Sequence, residues 1–180
     1  MVPCSWFPAT AKFCREHPDV DMGVHLTLTC EWEWYRWGPI STRDPASGML
    51  DADGYFPRRS RPVQENGDPQ YVQTEVDAQV ERALAAGIPV THLDTHMGTV
   101  VHSKFIGGVI QTGIRHRIPV MFFRKDEAGW RKAGLDAEGA STAARLVEML
   151  EEEGMKELPK DRATPRAHSP REVRPGGRPL

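Results

Sequence analysis

Within three residues, Gly87-Ile88-Pro89 separates a helical pattern from an extended one, and this junction limits the fold more than any other stretch of the chain. Upstream, Val76, Val80, Ala83 and Leu84 recur at helical spacing between Gln73 and Ala86, with Gly87 as a left-handed stop. Downstream, Val90-Thr91-His92-Leu93-Asp94 reads as a strand. A second helix, capped by Ser103, carries Phe105, Ile106, Val109, Ile110 and Ile114; it breaks near Ile118-Pro119 before the apolar run Val120-Met121-Phe122-Phe123. Helix, strand, helix, strand is the rhythm of a parallel α/β protein. Earlier in the chain, a helix from Pro8 to Glu16 stops at His17-Pro18. A strictly alternating strand, Gly23 to Thr29, then sets Val24, Leu26 and Leu28 on one face and His25, Thr27 and Thr29 on the other. A last helix from Ser141 to Glu153 has Ala144, Leu146, Val147 and Leu150 at core spacing.

Two regions break the rhythm. Residues 38–70 hold Gly38-Pro39, Asp44-Pro45, Asp53-Gly54, Asn66-Gly67 and Asp68-Pro69, which predicts a long irregular excursion. Residues 156–180 carry seven Lys and Arg against three acidic residues, interspersed with prolines, and are expected to be a Pro/Arg-rich disordered tail. That leaves residues 1–155 as one domain, which 39% hydrophobic residues can supply with a core. A net charge of -2 offers no field for a phosphate backbone, so no nucleic acid partner is expected. No run approaches the twenty or so apolar residues of a membrane span. The opening residues lack a basic and apolar leader, and the three cysteines form no C-x-x-C pair. A cytoplasmic location is the expectation.

The densest chemistry lies in Thr91-His92-Leu93-Asp94-Thr95-His96. In an extended chain positions 92, 94 and 96 share a face, so two imidazoles and a carboxylate are expected to converge at the end of a strand. His25 is the one strongly coordinating side chain on the polar face of its own strand, and imidazole with carboxylate is a donor set for a divalent cation. Glu31-Trp32-Glu33-Trp34-Tyr35-Arg36-Trp37 follows directly, with three Trp and one Tyr in six positions. Aromatic faces beside a polar site can stack sugar rings while Glu and Arg bond hydroxyls; the competing reading is a lid or homo-oligomer interface. Gly107-Gly108, inside a helix pattern, predicts close approach of another element. No Gly-rich phosphate cradle or G-x-S-x-G elbow occurs.

Together, G-V-H-L-T-L-T, then E-W-E-W-Y-R-W-G-P, then T-H-L-D-T-H after a helix and a Gly-Ile-Pro stop, resemble the YdjC-like carbohydrate deacetylases over residues 1–155. The resemblance implies an α/β fold, a partial and distorted TIM-like (β/α) barrel of the polysaccharide deacetylase type. It further implies removal of N-acetyl groups from small amino sugars with one divalent ion, magnesium, zinc or manganese, bound by an aspartate and two histidines. The ligand role passes to His25 and His96. Asp94 is then base or orienter, His92 acid or relay, and Trp32, Trp34, Tyr35, Arg36 and Trp37 the substrate wall. The family's opening strand ends in an Asp-Asp pair with no counterpart before Gly23, Met97-Gly98-Thr99 stands where many relatives have a further histidine, and the tail replaces the closing strands. Impaired activity and self-association at open barrel edges are the expected consequences. Two alternatives stay open: an inactive sugar-binding remnant, and a metal-dependent phosphoesterase using Arg36 and Arg124 as clamp.

Overall fold

A computed structural model describes residues 2–121, 126–132 and 137–152. Helix α1 (Phe7–Glu16) has Pro8 in its first turn and buries Phe7, Ala11 and Cys14. It leads into strand β1 (Met22–Leu26), which pairs in parallel with β2 (Val90–Thr95). The connection between the strands contains α2 (Ser60–Asn66) and α3 (Pro69–Ala85). Asp68 caps α3 by accepting from the N–H groups of Gln70 and Tyr71, and Gly87, at φ +75°, closes the helix into β2. Beyond β2 come a 3₁₀ segment, His96–Val101, and helix α4 (Ile106–His116). Pro119 and Met121 extend the parallel pattern by bonding both backbone groups of Leu93. Helices α5 (Glu127–Lys132) and α6 (Ala137–Glu152) pack around Trp130, Ala140 and Ala143.

Val24, Leu26 and Leu93 from the sheet, with Leu28 just beyond β1, meet Val72, Val76, Val80 and Ala83 of α3 in the main core. Full burial of one such aliphatic side chain contributes about 1.5–3 kcal/mol. Gly108 does allow a close approach: a Cβ there would fall 1.8 Å from Gln73 Oε1 on α3.

Several expectations change. The first strand stops at Leu26 instead of Thr29, and Thr27 and Thr29 of its expected polar face are buried along with Leu28. Gln79 explains the stop, because its amide takes the N–H and C=O of Thr27 that a further ladder would use. Ser103 does not cap α4; the helix begins at Ile106, after His102 C=O has accepted from Phe105 and Ile106. The excursion over 38–70 is better anchored than its breakers imply, with Met49, Phe56 and Val63 fully buried. The α/β class holds, and of the partial barrel expected the described residues form a two-stranded parallel sheet with one added bridge at Val120. Phe122, Phe123 and the tail over 156–180 lie outside the described residues. No helix among the described residues is long and apolar enough to cross a membrane.

Candidate functional site

Parallel pairing sets His25 opposite Asp94 and Leu26 opposite Thr95, so the ends of both strands bring their polar side chains together. His25 Nδ1 lies 2.8 Å from Asp94 Oδ2, and His25 Nε2 lies 3.2 Å from His96 Nδ1. On the far side, His96 Nε2 meets Glu31 Oε2 at 2.9 Å. The result is one chain of contacts, Asp94 to His25 to His96 to Glu31, with the two rings edge to face at 5.1 Å between centroids.

Proton counting defines what this chain can hold. An ionised carboxylate only accepts, so each outer nitrogen, His25 Nδ1 and His96 Nε2, carries its proton. The inner pair then either shares a third proton, which makes one ring an imidazolium, or presents two lone pairs to each other 3.2 Å apart. A cation relieves the second arrangement. Partial burial would by itself raise the Glu31 carboxyl, but the hydrogen bond to His96, the backbone and the two nearby imidazoles bring it below the ordinary glutamate value.

The turn that carries His96 is braced from several sides. Met97 and Gly98 are both left-handed, at φ 55° and 68°, and for Met97 that conformation costs on the order of 1–3 kcal/mol. Ser60 Oγ donates to Met97 C=O, and Thr99 Oγ1 reaches His96 C=O at 3.3 Å. Such strain directly after a site residue is retained because the surroundings over-determine it.

His92 does not join this cluster. Between Met22 and Val24 the register slips by one residue, so Thr91 and His92 together face Gly23. The His92 ring covers Gly23, where a Cβ would fall 2.3 Å from its Nε2. Its Nδ1 is 2.9 Å from Thr91 Oγ1 and 3.7 Å from Asp21 Oδ1. The expected convergence of His92 with Asp94 and His96 is therefore corrected to Asp94 and His96 with His25 and Glu31. Glu31, read from sequence as a hydroxyl binder, was missed as the partner of His96.

The aromatic segment divides. Trp34 is 89% exposed and Trp32 56%, whereas Trp37 is only 4% exposed and donates its Nε1–H to Thr29 C=O at 3.0 Å. Tyr35 packs edge-on against Trp37 and the core. Arg36 donates to Asp51 and to Phe56 C=O and lies 5.1 Å from the Tyr55 ring. A single substrate wall of five residues is thus corrected: Tyr35 packs on Trp37 and the core, and Arg36 and Trp37 are held by hydrogen bonds to Asp51, Phe56 and Thr29. The same engagement removes Arg36 as a phosphate clamp, and Arg124 lies outside the described residues. An open cleft of about 590 Å³ runs beside Arg36, Arg43 and Arg82, but none of the four cluster residues lines it. The chemistry of the histidines, rather than the size of that cleft, marks the site.

Residues 1–173 match the family described as YdjC-like protein. Carbohydrate deacetylases of Thermoanaerobacter pseudethanolicus and Brevibacillus brevis are 29% and 30% identical over 118 and 122 residues, covering 66% and 68% of this chain. One from Thermus thermophilus is 36% identical over 101 residues, 56% of the chain. These alignments take in 45%, 46% and 34% of the relatives, so the chain spans less than half their length. A crystal structure from Enterococcus faecalis V583, described as a candidate cellobiose-phosphate cleavage protein, aligns with a TM-score of 0.64 at 22% identity. It covers 83% of this chain and 52% of its own, and the likeness is one of mixed α/β fold.

Proposed function

This chain belongs to the YdjC-like protein family, and from that membership we propose that it carries the histidine pair of a metal-dependent carbohydrate deacetylase. The substrate class is a small N-acetylated amino sugar of the chitooligosaccharide type, and the parallel strands belong to a distorted (β/α) barrel. One observation carries the reading: His25 Nε2 and His96 Nδ1 stand 3.2 Å apart, on rings whose other nitrogens are held by carboxylates. Imidazole nitrogens bind zinc at about 2.0–2.1 Å, so two at this separation subtend about 100° at a shared ion, near the tetrahedral angle. Among the described residues no group of three or more His, Cys, Asp and Glu is placed to hold a metal ion together, so the arrangement offers two protein donors, with Asp94 and Glu31 behind them.

When bound, a zinc, manganese or magnesium ion polarises the acetamide carbonyl and makes water easier to deprotonate. The chain's own groups prepare for this. Asp94 Oδ2 holds the proton on His25 Nδ1 and so leaves Nε2 as a lone-pair donor; Glu31 does the same for His96. Asp94 bonds His25 through Oδ2, and its Oδ1 is the oxygen we assign to take a proton from water beside the rings. Trp32 and Trp34, exposed next to Glu31, offer flat apolar faces to a sugar ring.

Two donors bind an ion less tightly than three or four, so residues 1–180 by themselves are expected to bind metal weakly and to turn over slowly. Calorimetric titration with zinc or manganese, beside acetate release from N-acetylchitobiose, tests the reading. One ion per chain, lost on His25→Ala or His96→Ala together with acetate release, supports it. Acetate release untouched by a chelator or by either substitution refutes it.

A further inference from the structure

Glu31 stands in the wrong place for a chain that simply continues β1. The register sets Leu26 opposite Thr95, so Thr27 comes level with His96, and four extended residues would carry Glu31 about 13 Å beyond it. Yet Glu31 Oε2 is 2.9 Å from His96 Nε2. The chain therefore departs from the strand direction between Thr27 and Glu31, and something must satisfy the backbone that leaves the sheet.

We propose that Gln79 is a positioning residue for the His25–His96 pair, acting with Trp37 through the stretch Thr27–Glu31; this rests on the reading of that pair as metal donors. Gln79, fully buried on α3, accepts from Thr27 N–H at 3.0 Å and donates to Thr27 C=O at 2.8 Å, taking both groups a neighbouring strand would have taken. Its amide cannot be turned over, because Nε2 also donates to Glu75 Oε1 at 2.8 Å and a carboxylate oxygen has no proton to give in return. Glu75, one turn earlier and equally buried, accepts from Ile40 N–H, Ser41 N–H and the Ser41 hydroxyl. One face of α3 therefore holds both ends of the segment from 27 to 41. Between those ends, Trp37 donates to Thr29 C=O and Cys30 N–H bonds Pro57 C=O, while Thr27 Oγ1 returns to His25 C=O at 2.6 Å.

An apolar residue is the ordinary occupant of a fully buried helix position, since an amide there is costly unless every bond is made. Here two of its three bonds go to Thr27 at the start of the segment that presents Glu31, and the third to Glu75, which holds that segment's far end. The role is distinct from core packing: the hydrogen bonds of Gln79 go to Thr27 and Glu75, so its effect on the histidines passes through the direction of the chain.

The experiment uses the 180-residue chain with ¹⁵N-labelled histidine. Gln79→Met keeps volume and removes both bonds to Thr27; Trp37→Phe removes the bond to Thr29; Val72→Ala, two turns away on α3, is the packing control. Ring ¹⁵N and ¹H shifts are read without metal, and zinc affinity is read by calorimetry. Gln79→Met is expected to shift the His96 Nε2–H signal away from its hydrogen-bonded position and to weaken zinc binding about tenfold. Trp37→Phe is expected to move both readouts in the same direction by less, and keeps the test alive should Gln79→Met fail to fold. Val72→Ala is expected to lower Tm and move neither. Gln79→Met or Trp37→Phe that lowers Tm like the control, with His96 unmoved, overturns the proposal. If the unsubstituted chain binds no zinc, the metal reading fails while the His96 shifts still decide the positioning role.

Discussion

Substituting Glu31→Gln isolates the charge behind His96. The amide retains a carbonyl oxygen of the same reach, so His96 Nε2–H, 2.9 Å from Glu31 Oε2, can keep a hydrogen bond. What disappears is the charge. Hydrogen bonds to charged groups are worth about 1.5–3 kcal/mol and neutral ones about 0.5–1.5, a difference of about 1 kcal/mol. The Glu31 side chain is 39% exposed, so solvent screening places the effect at or below that figure. Converted, about 1 kcal/mol is a fivefold loss in affinity for an ion held by His96. Glu31→Ala also frees the ring to turn and should cost tenfold or more. The assay is calorimetric titration with zinc, with thermal unfolding as a check on the fold. The expected order is unsubstituted, then Gln, then Ala. Equal affinities for all three, with His25→Ala still abolishing binding, would refute the claim that Glu31 orients His96.

Three further expectations follow from the same geometry. Gly23→Ala drives a Cβ into the His92 ring and should cost about 1–3 kcal/mol, while Gly23→Ala with His92→Ala should recover most of that loss in a urea-melt cycle; strictly additive costs would mean the ring lies elsewhere. Burial alone would raise the Asp51 carboxyl, but Tyr55 N–H, Arg36 and Asp53 N–H bring it below the ordinary aspartate value. A carboxyl lowered by folding contributes stability above its unfolded pKa and loses it as pH falls through the folded one. Asp51→Asn should therefore flatten the loss of stability below about pH 4 in urea midpoints taken from pH 7 to pH 2. Trp34→Ala should change stability by no more than about 0.5 kcal/mol, whereas Trp37→Ala should cost about 3–5 kcal/mol by chemical denaturation.

The helices were legible where the signal is local. α1, α3 and β2 follow from periodicity and from Pro8, Gly87 and Pro89, each acting within a turn or two of its own position. α2 was not legible, since seven residues with only Val63 buried give periodicity nothing to repeat. The end of β1 was not legible either. Thr27-Leu28-Thr29 alternates like any strand, and the group that ends it, Gln79, is fifty-two residues away in sequence.

His25 and Asp94 were readable as neighbours because both obey the period of two inside their strands, and His96, directly after β2, still falls in that line. His92 and Glu31 were misread for a common reason: both lie just beyond a break in that period. A one-residue bulge opposite Gly23 takes His92 out of the line of Asp94 and His96, and the end of β1 at Leu26 lets Glu31 reach His96 from outside the strand. Alternation alone cannot register either event, since a bulge needs the partner strand and the strand's end needs the helix whose Gln79 bonds Thr27. Trp37 illustrates the same limit. Its placement in an aromatic run looks like a binding face, but the unpaired carbonyl of Thr29, created where the strand stops, gives its indole N–H a buried partner. The sheet thus brings two imidazoles and Asp94 together by regular pairing, while the fourth member of the cluster depends on side-chain hydrogen bonds from Gln79 and Trp37 that replace the missing ladder.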